Sequence, residues 1–228
     1  MPVVSGVRVN TEVRAVQVAL TDAGALAYLP AGAGALRTLV WVDQLGKEMS
    51  VGAPPRAYGN PRVSPDGSQI AVTMKDAGQD IHVWDVARRV LRRLTFDPSP
   101  NSVVTWIDNQ RVAFAGVVDG MGQSFEQRAD GLGTARQVTS GLSSFPLAAS
   151  PDGTLLLVRE YPPDGSWDIA VVPLQNPAAR RTVERTPALE NNPVLSPDRR
   201  WLAYQSQKTG RYEVYVRPFA PAGGGRFP

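Results

Sequence analysis

The stretch NPRVSPDGSQIAV, residues 60–72, sets Ser-Pro-Asp-Gly between two apolar runs. It returns as FPLAASPDGTLLLV at 145–158 and as NNPVLSPDRRWLAY at 191–204. In each, Pro fixes φ early in a turn, Asp hydrogen-bonds back onto it, and Gly accepts φ > 0. Arg199 stands at the Gly position of the last copy and is a poorer fit there. Ser150 and Ser196 are 46 residues apart, and Ser64 and Ser150 are 86 apart, two periods of about 43. A degenerate copy is therefore expected midway. VVTWIDNQRVAFAG, at 103–116, supplies it, with Asn109 in place of Gly because Asn tolerates the left-handed region. ALTDAGALAYLP, at 19–30, supplies another one period before Ser64. Five copies stand at 21, 64, 105, 150 and 196.

Each copy reads as strands. Short runs of Val, Leu, Tyr and Phe follow the turn. A polar hairpin comes next: KDAGQD from Lys75, PPDGSWD from Pro162, QKTGRYE from Gln207. A third strand succeeds it, as in IHVWDV from Ile81, IAVVPL from Ile169 and VYVRPF from Val214. A more polar fourth closes the unit, as in RRVLRRLT from Arg88 and ARQVTSG from Ala135. Four antiparallel strands per ~43 residues mark a propeller blade. Inner strands apolar on both faces fit blades covered on both sides, and an arginine-rich fourth strand fits an edge guarded by charge. The expectation is an all-β protein: one β-propeller domain over residues 1–228, built of four-stranded antiparallel blades. Asp66, Asp152 and Asp198 are then turn residues in separate blades, not a convergent set of catalytic acids.

Bulk properties narrow the function. The 228 residues are enough for a sizeable single core. Net charge is only +3, from 24 basic and 21 acidic residues, and the arginines are scattered without a basic helix or stacking platform, so no nucleic-acid partner is expected. There is no cysteine, which excludes disulfides, thiol catalysis and cysteine metal sites. The first residues, MPVVSGVRVNTEV, lack the apolar core of a signal peptide. No run approaches the ~18 apolar residues of a membrane span, so no direct membrane insertion is expected.

The repeats, most strongly SPDGSQIAVTMKDAGQDIHVWDVARRVLRRLTFDP from Ser64 and LSPDRRWLAYQSQKTGRYEVYVRPF from Leu195, resemble the TolB-like propeller, a WD-like family with a Pro-Asp core. Such segments are similar to the C-terminal sensor domains of bacterial eukaryotic-type serine/threonine kinases. The resemblance implies a propeller of typically six blades that binds proteins or ligands, and in kinase-linked members an extracytoplasmic or periplasmic location. The kinase motifs themselves are absent from the chain. It is not a true WD repeat: Trp84-Asp85 forms a WD dipeptide, but the Gly-His half of that repeat is absent, and His82, the only histidine, is expected to pack mid-strand. With five copies visible, the propeller is either a five-bladed ring or a truncated six-bladed one. Closure by a strand around Val3–Val9 beside Val214–Pro218 would give a monomer. Open blade faces would instead give a dimer.

Similar propellers accompany prolyl-oligopeptidase-type hydrolases, whose catalytic triad lies in a separate domain. This chain has no Gly-x-Ser-x-Gly elbow and only His82 as a base, so it is expected not to be an enzyme. One His and no Cys disfavour zinc. Paired carboxylates at Asp76/Asp80 and Asp164/Asp168 could meet calcium, but read better as polar hairpin tips. No cofactor and no metal is expected. What remains is a non-catalytic module that binds a protein, a peptide or a small ligand at the channel mouth. The candidate residues there are Tyr58, Asn60, Arg62, Phe145, Asn191 and Asn192. The alternatives are the substrate-gating propeller of a hydrolase separated from its catalytic domain, and a lactonase-like propeller with a carboxylate-held metal.

Overall fold

A computed structural model describes residues 36–75, 79–96 and 100–219 in full, together with the backbone of four short strands between 9 and 28. The protein is all-β. Its described strands form five successive antiparallel sheets, one per sequence copy, after a short pair of β1 (Val9–Asn10) with β2 (Ala15–Val16). Blade 1 holds β3 (Val18–Leu20), β4 (Leu26–Tyr28), β5 (Val40–Val42) and β6 (Glu48–Ser50). Blade 2 holds β7 (Tyr58–Val63), β8 (Gln69–Met74), β9 (Asp80–Asp85) and β10 (Val90–Arg93). Blade 3 holds β11 (Ser102–Trp106), β12 (Arg111–Val118), β13 (Met121–Arg128) and β14 (Arg136–Gln137). Blade 4 holds β15 (Ser143–Ala149), β16 (Leu155–Tyr161), β17 (Asp168–Pro173) and β18 (Arg181–Glu184). Blade 5 has three strands, β19 (Glu190–Leu195), β20 (Trp201–Ser206) and β21 (Glu213–Pro218).

The cores lie between the blades, and strand alternation builds them. In blade 4, Leu156, Val158, Ala170 and Val172 face Ile107 and Ala113 of blade 3. The intervening Leu157, Ile169 and Val171 face Leu195, Leu202 and Tyr204 of blade 5. Blade 2 divides in the same way. Ile70, Val72 and Trp84 meet Leu39 and Val51 of blade 1, while Ala71, Ile81 and Val83 meet Val104, Val112 and Phe114 of blade 3. A strand with both faces covered reads as a continuous apolar run, and each turn motif leads into such a run. Trp84 of the Trp84-Asp85 dipeptide is part of the core between blades 1 and 2, and Asp85 accepts the Arg88 N–H in the next turn.

The repeated motif is a hydrogen-bonded knot. The hydroxyls of Ser64, Ser150 and Ser196 donate to Asp66, Asp152 and Asp198 at 2.7, 2.6 and 2.5 Å. The same serine oxygens accept the N–H of Gln69, Leu155 and Trp201 at 3.0, 2.9 and 3.0 Å. One serine thus closes the turn and starts the second strand. Burial raises the Asp66 and Asp152 pKa values, but the Ser and backbone hydrogen bonds outweigh it and hold both below the usual range. Ser150→Ala orphans the buried end of this knot, and is expected to cost about 1–3 kcal/mol and lower the melting temperature by several degrees. A thermal melt superimposing on the parent's would show that the hydroxyl carries no such role.

Two turn details differ from the sequence reading. Arg199 adopts φ 57°, beside 75° for Gly67 and 64° for Gly153, so the arginine accepts the left-handed position. Asn109 does not adopt positive φ. Its side-chain oxygen instead accepts the Asp66 N–H of the neighbouring turn at 3.0 Å. Arg111 donates to the Gly153 carbonyl at 3.3 Å, and Arg199 pairs with Asp152. These bonds link the turns of blades 2 to 3, 3 to 4 and 4 to 5.

At the last blade, Val194, Trp201, Val214 and Val216 are 55, 46, 70 and 63% exposed. Among the described residues no strand pairs with the outer edge of β21. Val9, at the end of the segment expected there, pairs with Val16, while Val3–Arg8 lies outside the described residues. No helix among the described residues is long and apolar enough to cross a membrane.

Candidate functional site

In blades 2 to 5 the first strand lies at one edge of its sheet, and contacts join β7 to β11, β11 to β15 and β15 to β19. The C-terminal ends of these strands surround a cavity of about 350 Å3. That volume falls in the range of small-ligand sites. Arg62, Thr105, Trp106, Ser150, Pro151 and Leu195 line it. Strand β7 delivers Arg62, and the Trp106 indole N–H holds its backbone by donating to the Arg62 carbonyl at 2.8 Å. The Arg62 guanidinium donates to the Pro61 carbonyl at 3.0 Å and has no carboxylate partner among the described residues. Burial pushes its pKa down, yet an arginine remains cationic at neutral pH. The cavity therefore offers one cation, the Thr105 hydroxyl and an apolar wall, the Ser64 and Ser150 hydroxyls being committed to Asp66 and Asp152.

The other candidates lie toward the N-terminal ends of the inner strands, away from this cavity. Tyr58 is fully buried in the core between blades 1 and 2, and its hydroxyl donates to the Pro54 carbonyl at 2.6 Å. Asn60 and Asn192 take φ 48° and 49°, each just before a proline. Asn tolerates that conformation better than most residues. Their amides reach second-strand side chains, Thr73 at 3.5 Å and Gln205 at 2.8 Å. Backbone geometry thus accounts for these two residues.

Phe145 and Asn191 do come together, around a residue the sequence reading missed. Arg159 of β16 sits opposite Phe145 in register and is 2% exposed. Its guanidinium lies 4.4 Å from the Trp167 ring centroid, 5.0 Å from Tyr161 and 5.6 Å from Phe145. Its Nη1 donates to Asn191 Oδ1 at 3.1 Å. The Phe145 ring meets Tyr161 edge-on at 5.3 Å, and a Cβ added to Gly122 would lie 2.5 Å from its tip. Nearby acids are engaged elsewhere. Glu160 takes a two-pronged ion pair from Arg180, and Asp168, whose pKa burial raises, lies 3.4 Å from Arg185. The available signal was the pair Arg159-Glu160 interrupting the apolar run LLLVREY.

The acids of the repeated turns stand in separate blades, and His82 is half-buried on β9. Of the paired carboxylates, Asp80 pairs with Arg93, and Asp164 accepts from Ser166; Asp76 lies outside the described residues. Among the described residues no three metal-ligating side chains converge.

Solved structures share this arrangement of blades. TolB from Acinetobacter baumannii superposes with a TM-score of 0.74 at 20% identity, over 89% of this chain and 51% of that one. The fold is a TolB-like β-propeller. Putative TolB from Agrobacterium tumefaciens gives 0.74 at 17% identity, over 88% of this chain and 76% of that one. The β-propeller domain of the Trilobed protease from Pyrococcus furiosus, described as having an open velcro topology, gives 0.55 at 9% identity over 90% and 82%. The chain thus spans about half the length of the Acinetobacter TolB. No protein-family model matches the chain, and no curated protein matches its sequence.

Proposed function

We propose that this TolB-like propeller is a non-catalytic binding module that takes a protein segment, peptide or small ligand at the cavity around Arg62. The observation that carries this is a guanidinium with no carboxylate partner among the described residues, held at the meeting point of four blades. A cation with the Thr105 hydroxyl beside it suits a ligand bearing a carboxylate or exposed carbonyls. The resemblance to kinase-linked sensor domains supports placing the module in a larger, multidomain bacterial protein, where occupancy of the cavity would report to another domain. The likeness to a protease's propeller domain supports the second reading, a propeller that gates peptides toward a hydrolase domain.

The test is calorimetric titration of the parent and of Arg62→Ala with short peptides bearing a free C-terminal carboxylate. A peptide that binds the parent is expected to bind Arg62→Ala about tenfold or more weakly, the loss of one charge-assisted contact. The melting temperature should fall by no more than a few degrees, since removing this partly buried cation breaks no ion pair among the described residues and only the hydrogen bond to the Pro61 carbonyl. Equal affinity for both proteins would place the binding site elsewhere. Asn191 is a less clean probe, because it is fully buried and its loss would move stability and binding together.

A further inference from the structure

Blade 5 differs from the other blades at its outer edge. In blades 1 to 4 a fourth strand pairs with the outer edge of the third. Among the described residues the third strand of blade 5, β21, has no such neighbour. In blades 2 to 5 the first strands line the cavity, so this open edge lies at the rim of the propeller, away from it.

The ladder decides which groups the edge presents. Strand β21 pairs with β20 without a break, from Glu213 opposite Ser206 to Pro218 opposite Trp201. The Phe219 N–H extends the ladder by donating to the Arg200 carbonyl at 2.8 Å. In an antiparallel pair the backbone groups of alternate residues point to opposite sides. Glu213, Tyr215 and Arg217 therefore bond to β20, while Val214 and Val216 direct both N–H and C=O outward. Pro218 has no N–H and ends the free edge. Side chains alternate in the same way. Tyr215 packs on the core shared with blade 4, and Arg217 pairs with Glu184 of β18. Val214 and Val216 lie on the other face and are largely exposed.

This edge is its own complement. Glu213-Val214-Tyr215-Val216-Arg217, laid antiparallel on itself about Tyr215, sets Glu213 opposite Arg217 twice. It also sets Val214 opposite Val216, so every outward N–H meets an outward carbonyl. A slip of one residue would set outward groups against inward ones. A slip of two keeps the bonding but parts Glu213 from Arg217.

We infer that β21 is a self-association edge, on which β21 of a second copy lies antiparallel and stands as the fourth strand of blade 5 in each copy. Four backbone hydrogen bonds, two valine pairs and two ion pairs form together. Charge complementarity selects a second copy as the occupant, since this strand's acid and base meet only across a twofold axis. Both charges have neighbours within their own chain, Arg211 and Tyr215 for Glu213 and Glu184 for Arg217. The dimer extends these into a network. The contact is shorter than a standard interface, so association is expected near 0.1 mM, on the order of a weak complex. It does not depend on the ligand read at Arg62.

The test is sedimentation equilibrium of the full chain from about 10 µM to about 1 mM. The mean mass is expected to rise from one chain toward two. Val216→Pro removes two of the four bonds but no bond to β20, so it should weaken association about tenfold or more. Glu213→Arg and Arg217→Glu each set like charges together twice and should each weaken it by a similar factor. An equal mixture of these two variants should associate like the parent, because both ion pairs are restored in the mixed dimer. No change confined to one copy produces that rescue. The proposal fails if the parent stays monomeric over the range, as it would if Val3–Val9 of the same chain took the edge. It also fails if Val216→Pro associates like the parent, which would mark a dimer made through the face of the blade, or if the mixture associates no better than either variant alone.

Discussion

Arg180→Ala is expected to lower the melting temperature by roughly 10 °C. Arg180 Nε and Nη2 donate to the two oxygens of Glu160, whose side chain is 2% exposed while that of Arg180 is 35% exposed. The Glu160 hydrogen bonds hold the Arg180 pKa above its ordinary value. Removing the arginine leaves a carboxylate deep between strands with no counter-ion. Breaking a buried pair in this way costs about 3–5 kcal/mol, and the partial exposure of Arg180 puts the expectation at the lower end. Most of the cost is the stranded charge rather than the lost attraction. Adding Glu160→Gln to Arg180→Ala should therefore recover part of the stability, because a neutral amide is cheaper to bury. A double variant less stable than the single one would show that the pair is not held together for this reason.

Leu157→Ala is expected to destabilise by about 2–5 kcal/mol, as read from urea or thermal unfolding. Leu157 is fully buried, in β16, and it packs against Leu195, Leu202 and Tyr204 of the next blade. Blade 5 packs on this core through one face only, its other face carrying the exposed valines and Trp201. A cavity at Leu157 therefore loosens the main attachment of the last blade. The unfolding of β19 to β21 should become detectable before that of blades 2 and 3. A cost below about 0.5 kcal/mol, typical of surface sites, would mean that blades 4 and 5 do not pack through this core.

The fold was legible because one physical device is repeated. Ser-Pro-Asp-Gly fixes a turn, and the apolar runs after it alternate between two neighbouring blades, so sequence spacing alone located all five sheets. The third copy was found at Thr105, but its turn chemistry was misread. Asn109 suits a left-handed position by type, yet the contact that uses it belongs to the adjacent blade and leaves no trace in local sequence. The candidate site was legible only in part. Asn60 and Asn192 are conspicuous polar residues, but φ values of 48° and 49° before proline explain them. Tyr58 sits at a strand start that is sealed by the preceding blade. Arg159 was hidden among scattered arginines, because what distinguishes it is the three rings that tertiary packing brings around it.

The account rests on one claim, that a repeating blade is built around a doubly covered second strand. Native-state amide hydrogen exchange tests it most directly, since exchange rates report which backbone hydrogen bonds open last. The account predicts separate maxima of protection at Gln69–Met74, Arg111–Val118, Leu155–Tyr161 and Trp201–Ser206, the second strands of blades 2 to 5. Between them, rapid exchange is predicted at the exposed tips of the hairpins after the second strands, as at Asp119, Gly120 and Thr209. Protection running unbroken through those tips, or gathered in one block of the chain, would contradict the propeller.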